Sequence, residues 1–380
     1  MKKDKDTARL SLTRRTFLTV AGGAALAAPM VLKAQAADSG EVVVMGWAPY
    51  WTAEMTQLFK AKTGLKLRMI GAAADQEMFT KVRAGGAGDY DLVYANAGWT
   101  PVYNQAGLIE PIAIDEVKAS SNLYPEFLNT ASLPFVSSPG KELLFYPNMW
   151  SPLAMVWLDS AIKAPDTVSW KMLWDASIKP GTILLGGGGG DDFLAVGGLA
   201  LGLKREEVYS MSAEQLDTVV ANMRKLKPFQ ILSGAEQEFR ARFRSGKATI
   251  GLASQIGVAA LINAEAKEDI AKAAIPVEGS LGWVDGPMLM KNAKNRANAM
   301  AFLEFIGSDV DYGKMIFKET GGSPCSRTVT EAIVAGGGDD AQTIKTIQAD
   351  NPALATQVVM QAPPADPVAY AEAWDKVLAS

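Results

Sequence analysis

Trp283 and Asp285 stand two residues apart in Glu278-Gly-Ser-Leu-Gly-Trp-Val-Asp-Gly-Pro287. In extended backbone, residues i and i+2 share a face, so an indole and a carboxylate would be presented together. That pair suits an ammonium group. Cation–π attraction contributes about 0.5–2 kcal/mol and a charge-assisted hydrogen bond about 1.5–3 kcal/mol. The alternative is a core tryptophan beside a turn aspartate. Glycines at 279, 282 and 286 free the backbone to turn, or let another surface approach closely.

Other chemistry is limited by what is missing. The chain has no histidine and one cysteine, Cys325. Ser-His and Cys-His nucleophilic catalysis and the commonest zinc ligand are therefore excluded, and no internal disulfide can form. Cys325 reads as a small buried hydrophobe. The run Gly186–Gly190 after a strand tempts a dinucleotide reading, but Asp191 stands where the third glycine is required. The run reads as a permissive loop and helix cap, or as a place where Asp192 faces a cleft. Arg240, Arg242 and Arg244 read as a solvated helix face, although one could clamp a ligand carboxylate. No carboxylate pair has a glycosidase arrangement, and no cofactor or metal site is expected.

The elements that must position these residues follow from hydrophobic periodicity. Glu41–Met45 is a continuous apolar strand running into Gly46-Trp47-Ala-Pro-Tyr50-Trp51, a turn carrying three aromatics. A helix with Met55, Leu58 and Phe59 inward ends at Gly64. Leu65–Ile70 alternates as a second strand, Asp75 caps a second helix, and Tyr90–Tyr94 is a third strand followed by Asn96-Ala-Gly-Trp99. This β-α-β-α-β order implies a parallel sheet with helices on its faces. Ligands bind beyond the carboxyl ends of such strands, where Trp47, Tyr50 and Trp99 fall. Residues 132–150, rich in Pro, Ser and Gly, read as a crossing into a second α/β unit. There, Ser212-Ala-Glu-Gln215 is a capping box, and a strand ends at Ser254-Gln255. Gly336-Gly-Gly-Asp-Asp340 reads as a surface loop.

Residues 1–36 read as a leader. Lysines precede Arg14-Arg15-Thr-Phe17-Leu18, a weakly apolar stretch and Ala34-Gln-Ala36, the pattern of a twin-arginine export signal cleaved near Ala36. Removing its seven basic and two acidic residues leaves 30 Lys and Arg against 39 Asp and Glu, a net charge near −9. That acidity disfavours nucleic acid.

These segments together resemble a periplasmic solute-binding protein of an ABC importer, in the spermidine/putrescine-binding branch of the type 2 class. The resemblance runs from about Val42 to Thr328. It is carried by Trp47-Ala-Pro-Tyr50, Tyr90-Asp-Leu-Val93 with Gly107-Leu-Ile109, Ser169-Trp-Lys-Met-Leu-Trp174, Glu278–Asp285 with Asn292-Ala-Lys-Asn295, and Glu319-Thr-Gly-Gly-Ser-Pro324. It implies an α/β, two-lobed fold in which each lobe is a mainly parallel sheet flanked by helices, with two crossing segments as hinge. Lobe one would hold 38–148 plus 285–330, and lobe two 149–284 plus 331–380.

The resemblance also implies a ligand site of Trp47, Tyr50, Trp99, Asp192, Ser254, Trp283 and Asp285. Departures stand at Ala48-Pro49, which replaces a Thr-Glu of the family, and at Ser254 and Ser323, which replace a Trp and a Tyr. Loss of one carboxylate argues for a ligand shorter than a long polyamine: putrescine, 4-aminobutyrate or a small quaternary amine. The expected protein is a periplasmic, monomeric, non-catalytic carrier exported by the twin-arginine translocase and serving an ABC permease. Its rivals are an anion or metal-ion carrier on the same scaffold and an exported carboxylate-based enzyme.

Overall fold

The run Val42–Met45 is fully buried, and it forms the centre of the first strand, β1 (Glu41–Trp47). The computed structural model describes residues 40–379 apart from 48–49, 130–132, 233–234, 347, 349, 352 and 355–357. The expected leader, with its twin-arginine motif, and the Ala48-Pro49 departure lie outside the described residues.

Strands β2 (Lys66–Ala72) and β3 (Leu92–Asn96) flank β1 in parallel. The helix Ala53–Thr63 lies between β1 and β2, and the Thr52 side chain accepts from the Met55 N–H at 3.2 Å. Gly64 closes that helix at φ 76°, a conformation that favours glycine. The expected β-α-β-α-β order is present. The turn after β1 is shorter than expected, because pairing with β2 continues through Trp47.

Three short strands, β4 (Ile112–Ala113), β5 (Val136–Ser138) and β6 (Glu142–Leu143), form a small separate sheet. Then come β7 (Met149–Pro152), β8 (Ala154–Leu158), β9 (Ile183–Gly186), β10 (Phe229–Leu232), β11 (Ile250–Ala253), β12 (Ala271–Ala274), β13 (Ser280–Leu289), β14 (Ser323–Pro324) and β15 (Val358–Met360). One large sheet runs β14-β7-β13-β3-β1-β2, with β15 also on β13, and the other runs β10-β9-β11-β8-β12. Each combines parallel pairs with antiparallel ones. β13 meets both β3 and β7 antiparallel, and β8 meets both β11 and β12 antiparallel.

The chain passes between the sheets at Leu153, between β7 and β8, and again over 275–279, between β12 and β13. These passages lie just after the Pro/Ser/Gly-rich segment and just before the Gly282–Gly286 stretch that the sequence singles out. Gly282 and Gly286 are paired strand residues, not turns. Their glycine is required by close approach: a Cβ at 286 would lie 2.1 Å from the Tyr146 carbonyl oxygen, and one at 282 would lie 2.6 Å from the Val358 side chain. The tail is divided between the halves. β15 joins the seven-stranded sheet, while the helix Pro367–Leu378 puts Trp374 5.3 Å from Phe193 and 6.1 Å from Phe229, beside the five-stranded sheet. The expected loop at Gly336–Asp340 is instead interrupted by a helix, Gly338–Thr346, whose first-turn acids complement its N-terminal dipole.

Replacing Gly286 by Ala should lower unfolding free energy by about 1–3 kcal/mol through overpacking. Gly88→Ala, where a Cβ meets nothing, should stay within about 0.5 kcal/mol of the parent. Equal urea midpoints for the two variants would contradict the close packing at 286.

Candidate functional site

β13 is an interior strand, so its residues are buried on both faces, and Asp285 is only 4% exposed. It sits in register with Asn96 of β3 and Met149 of β7. Its Oδ2 accepts a hydrogen bond from the Tyr50 hydroxyl at 3.0 Å, and its Oδ1 one from Asn96 Nδ2 at 3.3 Å. Among the described residues no Lys or Arg forms an ion pair with it. Burial first, then the charge of Asp75, pushes its pKa well above the ordinary carboxylate range, against the opposing bonds from Tyr50 and Asn96. An ionised carboxylate in such a place is unfavourable without a cation.

Asp75 has a different role from the helix cap its position suggests. Ala74 is the N-cap and makes no side-chain bond, while Asp75 is the first residue of the helix Asp75–Arg83. Its Oδ1 accepts from the Asn96 N–H at 3.0 Å, and burial raises its pKa to about 7. Asn96 therefore stands between two carboxylates, its main chain on Asp75 and its amide on Asp285. Its Oδ1 accepts from the Gly98 N–H at 2.9 Å, which fixes the side chain.

A third carboxylate comes from the other sheet. Glu236 opens the helix Glu236–Arg244 and accepts from the Ser254 hydroxyl at 2.8 Å. Its pKa is raised chiefly by burial. The charges of Asp285, Asp75 and Glu236 all bear on the Tyr50 hydroxyl, whose pKa burial and these acids drive far up. Asp75 and Glu236 thus stand beside the expected acids, where the Ala48-Pro49 departure pointed only to a carboxylate lost.

Aromatic rings surround this group. Trp47 lies 6.3 Å from Tyr50, tilted by 41°, and its indole Nε1 is buried without a partner. Tyr50 meets Tyr94 edge-on at 6.2 Å. Behind it, Trp51 stacks on Tyr312 at 5.5 Å, and the Asn148 amide donates to both the Tyr94 and Tyr312 hydroxyls at 2.8 Å. Trp283, on the same side of β13 as Asp285, donates from Nε1 to the Ser254 carbonyl at 2.7 Å, joining the two sheets. Trp99 packs on Phe79 of the Asp75 helix at 6.0 Å.

The structure therefore gathers Trp47, Tyr50, Trp283, Ser254 and Asp285, with Trp99 beside the Asp75 helix. Asp192 has partners of its own. Its oxygens accept from the Gly189 N–H at 2.9 Å and from the Tyr209 hydroxyl, and burial followed by the charge of Asp191 raises its pKa to about 6. No bond links it to Asp285. Arg240 and Arg244 pair with Glu265, and Arg242 with Glu238 and the Gln230 amide, which favours the solvated-face reading. Gln255 is buried, and its Oε1 has no partner. Asp75, Asn96 and Glu236 were not legible as site residues: an acid before an amphipathic run reads as a cap, and Glu236 opens a charge-rich helix. Among the described residues no cluster of His, Cys, Asp or Glu is placed to hold a metal ion.

Comparison with known proteins places the chain in a family. The family described as bacterial extracellular solute-binding protein matches residues 54–356. The spermidine/putrescine-binding periplasmic protein of Escherichia coli (strain K12) is 24% identical over 273 residues, covering 72% of this chain and 74% of the relative. Among solved structures, the spermidine/putrescine ABC transporter substrate-binding protein PotD from Streptococcus pneumoniae superposes with TM-score 0.68 at 20% identity, covering 89% of this chain and 97% of the other. The Atu4243-GABA receptor superposes with TM-score 0.62 at 16% identity, covering 89% and 95%. The two-lobed fold of these binding proteins is shared by this chain.

Between the ordinary 3.8 and about 7, native Asp75 binds a proton that the unfolded chain has lost. Stability contributed at this position therefore falls as pH rises through that window. The empty protein should melt lower at about pH 8 than at about pH 5, and Asp75→Asn should flatten that fall and raise the melting temperature at the higher pH. A steeper fall in the variant, read by scanning calorimetry, would contradict the burial of this carboxylate.

Proposed function

The chain belongs to the bacterial extracellular solute-binding proteins, and from that premise we propose that it captures a short dicationic amine of the putrescine type. As an extracytoplasmic binding component of an ABC importer, it needs a ligand site and no catalytic group. The observation that carries the ligand class is Asp285, buried, bonded to Tyr50 and Asn96, and without a cationic partner among the described residues. An ammonium against Asp285 and the faces of Trp47 and Tyr50 meets both a charge and aromatic rings. Glu236, contributed from beside the other sheet, offers a place for a second ammonium. A zwitterion such as 4-aminobutyrate is less well served. Each arginine of the 236–244 helix is paired with an acid, which leaves that helix no free guanidinium for a ligand carboxylate.

In this reading Trp99, Trp283 and Ser254 complete the enclosure when lobes built on the two sheets close over the ligand, and Asp192 caps its own helix. Export by the twin-arginine route with cleavage near Ala36, and a monomeric carrier docking on its permease, complete the proposal. Micromolar capture requires about −8 kcal/mol. One carboxylate contact and two aromatic faces supply part of that, and expulsion of water and the second carboxylate supply the remainder.

Calorimetric titration of the mature protein with putrescine, spermidine, 4-aminobutyrate and betaine tests the class. Putrescine should bind most tightly, and Asp285→Asn should weaken it about 10- to 150-fold, the equivalent of a charge-assisted bond of about 1.5–3 kcal/mol. The same variant should melt higher than the parent when empty and at alkaline pH, because it removes a buried acid whose ionisation burial opposes. Absence of heat and of any melting shift with all four compounds would defeat the amine reading, as would full putrescine affinity in Asp285→Asn.

A further inference from the structure

Resting on the amine reading, we infer that Asp75 and Asp285, bridged by Asn96, form one unit that holds a proton while the site is empty and releases it when an ammonium enters. Capture of the cation is then an exchange: the amine arrives already protonated, its positive charge replaces the proton on the carboxyl pair, and that proton leaves to solvent. Asp75 acts as a positioning and charge-setting residue behind Asp285.

The geometry carries the inference. Asn96 uses its main-chain N–H for Asp75 at 3.0 Å and its amide for Asp285 at 3.3 Å, so a single residue separates the two acids. Neither acid forms an ion pair among the described residues, and the charge of Asp75 disfavours ionisation of Asp285. The groups facing the unit are also acids or phenols, with one thiol. Tyr50, Tyr94 and Cys325 each lie in the field of Asp285. Tyr103 lies in the field of Asp75, and Glu236 bears on Tyr50 from the opposite sheet. A further sign of an unfilled polar requirement is the Tyr103 hydroxyl, which is fully buried and has no partner. Burial lifts both carboxyls in the same direction, that of Asp75 to about 7. Beyond burial, the charge of Asp75 raises the carboxyl of Asp285 further, so the proton held at one acid depends on the state of the other.

Such a unit makes affinity depend on pH. Where a whole proton is released, affinity rises about tenfold for each pH unit. A monocation or dication thus competes with protons, and acidification loosens the ligand.

The test is titration of the mature protein with putrescine near pH 7 in two buffers of different ionisation enthalpy, phosphate and Tris. The apparent heats should differ in the sense of proton uptake by the buffer, and affinity should climb between about pH 6 and 8. Asp75→Asn keeps an oxygen to accept the Asn96 N–H, so the turn geometry is preserved. In that variant the buffer-dependent part of the heat should fall by half or more, an effect a purely structural role would not produce. Putrescine binding with identical heats in both buffers would overturn the inference while leaving the amine reading intact. A ligand-free measurement decides the case if putrescine fails to bind. The empty protein near neutral pH should show the infrared carbonyl band of a protonated carboxylic acid, diminished in both Asp75→Asn and Asp285→Asn, and absence of that band in the parent overturns the inference outright.

Discussion

A carboxylate buried without a counter-charge is the constraint on which the rest of this structure depends. Placing Asp285 on an interior strand removes water from it, and the neighbours supplied are a phenol and an amide, which orient the group without neutralising it. Truncation to an apolar residue would suit the empty fold better. Under the proposed amine reading the missing charge arrives from outside, and the surrounding indoles and phenols offer a cation their ring faces. On that proposal the empty state is held at a disadvantage that the ligand relieves, in the manner of functional sites that sacrifice stability.

The strand that carries Asp285 also explains the architecture. β13 is paired with β15 over 280–282, with β7 over 282–285 and with β3 over 285–289, and two glycines let Tyr146 and Val358 come closer than any side chain would allow. Immediately before it, the chain leaves the five-stranded sheet. Trp283 then reaches back to the end of β11, so the same strand holds the charged group and touches the facing half.

Much of this was legible in the sequence, and the limits have physical causes. Apolar periodicity revealed β1, β2, β3 and their helices, because burial on both faces leaves a direct mark on composition. The capping box at Ser212 and Gln215 took its expected form, with reciprocal bonds of 3.2 and 2.8 Å. The i, i+2 spacing of Trp283 and Asp285 correctly put both on one side of a strand. Asp75 was hidden because an acid at a helix start has an ordinary local explanation, and only the fold shows that its oxygen turns to Asn96 instead. Glu236 was hidden because its neighbour Ser254 is eighteen residues on, a pairing that no local pattern encodes. Asp192, expected as an acidic contact, accepts from the Tyr209 hydroxyl seventeen residues on as well as from its own helix start, and the first of these bonds has no local signature. The Gly336–Asp340 loop was misread because glycine's breaking tendency was weighed above the favourable dipole of two acids in a first turn.

The division of the last segment between the two sheets bears on how the chain comes together. β15 must find β13 about eighty residues earlier, and the final helix must find partners near Phe193, farther back still. Pairings of such high sequence separation slow folding, because loop-closure entropy is lost before the contacts form. While the polypeptide is still emerging from the ribosome, β13 lacks one neighbour and the five-stranded half lacks its covering helix. The molecule therefore reaches its finished state only after synthesis has passed these residues, and a waiting period of incomplete structure is built into its topology.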